Sequence, residues 1–119
     1  MNRAVFLAQE GIETTRTIRD ISWSGHIAPL TTGQAYYITP SNYWGIVAPN
    51  PGLIDGIFTR TVVFDSVYRR DSDKDIVDAS SPDPKTIDPG TKKVTVSVSW
   101  GTQGRKRTAT TYITDLLQN

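Results

Sequence analysis

The chain has 119 residues, 13 basic and 12 acidic side chains, a net charge of +1 and no cysteine. That length suits one domain with one core, the charge balance supplies no field for nucleic acid, and the missing thiols exclude disulfides and thiolate metal sites. No run reaches the roughly 20 apolar residues that span a membrane, and Ala4–Ala8 is too short for the apolar part of a signal peptide.

Asn2 to Ile21 contains one glycine and no proline. At about 100° per residue, Ala4, Leu7, Ala8, Gly11, Thr15 and Ile18 share one side, flanked by Ile12 and Val5, while Gln9, Glu13, Arg16, Thr17 and Asp20 lie opposite. The pattern predicts an amphipathic helix with a narrow stripe of small residues, ending near Ile21–Ser22. Arg16 and Asp20 are spaced to pair along it. Phe6 breaks the pattern, sitting near the polar side beside Val5 and Leu7. It is either an exposed aromatic in a frayed first turn or the cut end of a longer apolar helix.

After Trp23, expected to plug the junction between helix and sheet, the chain reads as strands and turns. Gly33–Thr39 and Tyr43–Val47 form a hairpin about Pro40-Ser41-Asn42, and Pro49-Asn50-Pro51-Gly52 ends it. Ile57–Arg69 is a long strand with Phe58, Val62 and Phe64 on one face and Arg60 interrupting them. Its phase then slips so that Val67 rather than Ser66 seeks the core, which calls for a β-bulge near Asp65-Ser66. Arg70–Gly90 carries three prolines and no sustained period, and is expected to be a long polar loop reaching toward partners. Lys92–Trp100 alternates strictly, with Val94, Val96, Val98 and Trp100 dry and Lys93, Thr95, Ser97 and Ser99 wet. A turn at Gly101–Gly104 returns Arg105–Thr114 antiparallel, setting Trp100 against Arg105, Val96 against Ala109 and Val94 against Thr111. Leu116 and Leu117 close the chain against helix or sheet edge. The whole predicts an α+β domain over residues 1–119: one N-terminal amphipathic helix on an antiparallel sheet of roughly four to five strands between residues 33 and 117.

Little of this looks catalytic. His26, the only histidine, lies in a loop without triad partners. Gly101–Gly104 sits between strands rather than before a helix, so it is no phosphate cradle. Asp71, Asp73 and Asp75 alternate like the start of a calcium loop, with Asp78 as a further oxygen, but Ile76 and Pro82 stand where the full pattern needs glycine and a bidentate glutamate. Calcium is the one cofactor candidate. Tyr36, Tyr37, Tyr43 and Trp44 are either a sugar-stacking platform or core and surface aromatics of the first hairpin.

Leu7–Asp20 followed by Trp23 resembles the helix of bacterial type IV pilin-like proteins and pseudopilins. Ile54–Arg69, the DPGTKKV stretch and the closing hairpin Lys92–Leu117 fit the same group in the same order. The resemblance implies a head whose helix is the second half of a longer one. Its first half, an apolar segment of about 25 residues, spans the membrane and later forms the filament core after leader cleavage and methylation. This sequence shows neither leader nor apolar half, so it is expected to be the soluble head alone, monomeric when isolated. The implied function is that of a minor pilin or pseudopilin subunit at the cell surface, in an extracellular filament or in a secretion or DNA-uptake machine. It would be membrane-anchored before assembly and would act by contact with other subunits rather than by catalysis. Val5, Phe6, Glu10 and Glu13 are the expected subunit contacts. The competing expectation is a cell-surface carbohydrate- or ligand-binding β-rich module.

Overall fold

The structure, a computed structural model, describes residues 2–39 and 45–115. The expected turn at Pro40-Ser41-Asn42, the aromatics Tyr43 and Trp44, and the closing Leu116 and Leu117 lie outside these residues. The domain is α+β. Helix α1 (Asn2–Ile21) leads through a single π turn (Trp23–Ile27) into strands β1 (Ala35–Thr39), β2 (Gly45–Val47), β3 (Phe58–Arg70), β4 (Ile76–Val77), β5 (Lys85–Trp100) and β6 (Arg105–Thr114). They form one antiparallel sheet in the order β2-β1-β3-β5-β6, with β4 on the end of β3. Among the described residues the sheet therefore has six strands rather than four or five. The additional one is the two-residue β4, too short to leave a periodic signal.

The helix buries the face that its sequence marks. Ala4, Leu7, Ala8, Gly11, Ile12, Thr14, Thr15 and Ile18 are covered. The small residues matter for distance: a Cβ on Gly11 would lie 2.8 Å from Val96 Cγ1 and 3.3 Å from Arg60 Cδ, so the backbone rests directly on the sheet there. Thr15 Oγ1 donates to the Gly11 carbonyl at 2.8 Å, which satisfies its hydroxyl inside the contact. Ile12, Ile18, Trp23 and Ile27 pack on Val62, Phe64, Val94, Val96 and Ile113, whereas Ala4, Leu7 and Ala8 pack on Phe58 and Val98. Trp23 is thus a core residue at the helix–sheet junction. Each fully buried Val, Leu or Phe contributes about 1.5–3 kcal/mol, so this one interface holds most of the apolar driving force. The ion pairs along the helix differ from expectation: Arg16 pairs with Glu13 and donates to Thr111 of β6, leaving Asp20 to Arg19.

The last hairpin has the expected register, Trp100 opposite Arg105, Val96 opposite Ala109 and Val94 opposite Thr111. The long loop does not. Ile76–Val77 pairs with Tyr68 and Arg69, and β5 begins at Lys85, so Lys85–Asp88 pairs with Val67–Arg70. The expected break in β3 is present between Ser66 and Val67, but the surplus residues lie on the partner strand: Lys92 opposes Ser66 and Asp88 opposes Val67, leaving Pro89-Gly90-Thr91 bulged. Val67 is buried, but with no surplus residue in β3 it keeps the phase of Asp65 and joins neither apolar cluster, so the expected slip toward the main core does not occur.

Candidate functional site

Three groups of side chains stand out, and the first is at the start of α1. Val5 is 45% and Phe6 52% exposed. At about 100° per residue Phe6 points directly away from the stripe of Ala4, Ala8 and Gly11. Arg3 lies over its ring, 5.2 Å from the centroid, and donates to Asp55 at 2.9 Å. Asp55 and Gly56 both have positive φ, 56° and 69°, and form the tight turn that returns the chain from Ile54 to Phe58. That turn leaves Leu53 59% and Ile57 55% exposed beside the helix start.

Of the four expected contact residues, Val5, Phe6 and Glu13 lie on the surface. Glu10 is instead turned toward the sheet, where its Oε1 accepts from Arg60 Nη1 at 2.7 Å. Arg60 is the charge that interrupts the apolar face of β3. Its side chain is 4% exposed against 33% for Glu10, and the same Nη1 donates to the Leu7 carbonyl at 3.1 Å. Its Nε has no partner among the described residues.

The second group is the Arg69–Asp88 end of the β3–β5 pair. Arg70 bridges Asp73 at 2.7 Å and Asp83 at 2.8 Å, Arg69 holds Asp88 at 2.7 Å, and Asp71 accepts from Thr86 at 2.7 Å. The hydrogen bond from Arg69 holds the Asp88 carboxyl below its ordinary pKa, helped by Thr91 and the Gly90 amide, against the opposing effect of burial. The Asp75 amide does the same for Asp73, followed by Arg70. In the acidic run that starts like a calcium loop, Asp71 accepts from Thr86, and Asp73 accepts from Arg70 and the Asp75 amide. Among the described residues, no group of three or more His, Cys, Asp or Glu is placed to hold a metal ion.

The third group is a cavity of about 910 Å3 on the sheet face opposite the helix, roofed by residues 76–82. Asp65, Lys93 and Tyr112 lie across from one another on β3, β5 and β6 at its floor, with Val67 beside them. This explains the burial of Val67 outside the main core. Tyr112 is 46% exposed. Of the four aromatics of the first hairpin, Tyr36 is a core residue: it is buried edge-on against Phe64 and accepts a hydrogen bond from the Thr31 amide. Tyr112 was recoverable from sequence, because the Trp100–Arg105 register places it opposite Lys93. Leu53 and Ile57 were not, since nothing local marks an apolar residue beside a turn as exposed. His26 is exposed on the π turn.

No described helix is long and apolar enough to cross a membrane. No protein-family model matches the chain, and no curated protein or solved structure matches it either.

Proposed function

We propose that the chain is the head of a type IV pilin-like subunit, a minor pilin or pseudopilin, working at the cell surface by assembly and not by catalysis, without a cofactor. The observation that carries this reading is the first two turns of α1. They leave two apolar side chains in the open, Phe6 on the side turned away from the sheet and Val5 on the flank, although the rest of the helix is one-sided. A helix that only covers a sheet has no use for Phe6 there, whereas a helix packed among neighbouring subunits does. The antiparallel sheet beneath it and the ordered set of resembling segments support the same reading. The partners would be other subunits, and the membrane through an apolar segment preceding this chain.

The decisive test is the native gene. Its coding sequence upstream should specify a short basic leader and then about 20–25 apolar residues, and a different upstream sequence would end the proposal. In cells, Phe6→Ser and Glu13→Lys should each abolish filament or pseudopilus assembly while the purified heads melt normally.

The cavity favours a second reading, a cell-surface carbohydrate- or ligand-binding module. Tyr112 offers a half-exposed ring, with Asp65 and Lys93 beside it for hydroxyl groups. Glycan binding lost on Tyr112→Ala without a change in melting temperature would support it, and a glycan array with no hits would not.

A further inference from the structure

We propose that one end of the molecule, formed by the start of α1, the Leu53–Ile57 turn and the tip of the β5–β6 hairpin, is a docking surface for an anionic lipid bilayer. The inference concerns the unassembled chain, because Val5 and Phe6 are also the residues that the assembly reading gives to neighbouring subunits, and vesicle binding tests it separately from assembly in cells.

Eight large apolar side chains are exposed among the described residues, and four of them, Val5, Phe6, Leu53 and Ile57, are at this end. Specific contacts bring its parts together. Arg3 joins the helix start to Asp55 at 2.9 Å, and Ile54 packs on the cluster of Ala4, Leu7 and Ala8. Phe58 lies 6.1 Å from Trp100, ring to ring, and Trp100 is paired with Arg105. Arg105 and Arg107, in phase with Trp100 and Val98, therefore belong to the helix side of this end, and Lys106, opposite Ser99, belongs to its other face. All three are exposed and none has an ion pair among the described residues. The two acids nearby are already occupied, Asp55 by Arg3 and Glu10 by Arg60. The end thus carries a local cationic surplus on a chain that is nearly neutral overall.

Unpaired cations beside exposed apolar side chains fit a surface with phosphate above and hydrocarbon just below. A duplex would satisfy the cations and leave the four apolar side chains without a partner. A two-fold contact with a second copy would cover the apolar residues but bring Arg105–Arg107 close to its own image. The anionic bilayer is the occupant that suits both sets. With three cations and four half-exposed side chains, binding should be peripheral, reversible and sensitive to salt.

The test is sedimentation of the 119-residue chain with vesicles. It should pellet with vesicles of equal parts phosphatidylglycerol and phosphatidylcholine, stay in solution with phosphatidylcholine alone, and be released near 1 M salt, where the screening length falls to about 3 Å. Each cation near such a surface contributes about fivefold, so Arg105→Gln, Lys106→Gln and Arg107→Gln together should weaken binding about 100-fold. Phe6→Ser with Ile57→Ser should also weaken it, with circular dichroism unchanged. Lys74→Gln with Lys92→Gln, toward the opposite end of the sheet, should leave it within about twofold. The proposal is overturned if the chain ignores the anionic vesicles, binds both vesicles equally, or still binds them as the triple variant. It is also overturned if heparin or a second copy of the chain captures this end while vesicles do not.

Discussion

Arg60 is the residue at which the molecule departs furthest from the ordinary rules of a core. A guanidinium with 4% of its side chain exposed lies between helix and sheet, with one nitrogen unpartnered and its charge met by Glu10 and the Leu7 carbonyl. The pair is asymmetric, because Glu10 keeps a third of its surface in water. The two halves should therefore respond differently to removal. Glu10→Ala leaves a buried cation without its counter-charge and should destabilise by about 2–4 kcal/mol, at or just below the range for a broken buried pair. Arg60→Met fills similar space with apolar atoms, and the stranded Glu10 can turn to solvent, so stability should change by less than about 1 kcal/mol. Urea denaturation of the two variants checks the ordering. Equal losses would mean that Arg60 holds the helix by more than its charge.

At the scale of elements, α1 is held by closeness and the β3–β5 end by charge. Gly11→Ala illustrates the first. Alanine favours a helix by about 1 kcal/mol, but the added methyl meets the buried and stiff Val96 side chain at 2.8 Å. The helix must lift, and the net effect on chemical denaturation should be a loss of about 1–2 kcal/mol. Asp88 illustrates the second. Its pKa is lowered in the folded state, so its contribution is complete above the ordinary carboxylate value of about 3.9 and is lost as pH falls through the lower folded value. Asp88→Asn should therefore cost about 1 kcal/mol near neutrality, and the gap in melting temperature from the parent should close as pH drops below about 4. The helix was legible in the sequence because its burial follows one period over twenty residues. The charged end was not. Two apolar residues at Ile76–Val77 and four paired residues at Lys85–Asp88 lack any alternation, and what orders them is a set of Arg–Asp contacts between residues up to 19 apart.

The whole molecule is longer than its chain length suggests. Its radius of gyration is 15.4 Å, where about 13.5 Å is usual for this many residues, and its longest extent is 48 Å. The apolar core explains the difference. It runs from Phe58 and Val98 at one end to Phe64, Val94 and Ile113 at the other, and stops at the bulge. Valine alternation and the Trp100–Arg105 turn made that covered half readable residue by residue, because burial under the helix imposes a period. Beyond the bulge the sheet continues without helix above it, held by backbone pairing, ion pairs and the small cover over Val67. Of the proposed site, Phe6 could be read directly as a misfit in the helix pattern, whereas Val5 fitted the flank of the apolar stripe. The pairing of Glu10 could not be read from the sequence, because Arg60 is fifty residues away. Two regimes of stability follow within one continuous β3–β5 ladder. Amides of Val62–Phe64 and Val94–Val98 should exchange hydrogen only through global unfolding. Those of Tyr68–Arg70 and Thr86–Ile87 should exchange through a partial opening at least about 2 kcal/mol lower. Arg70→Gln, which removes two of the ion pairs, should accelerate exchange in the second set and leave the first unchanged. Uniform acceleration across both would show that the uncovered end is an integral part of the cooperative unit.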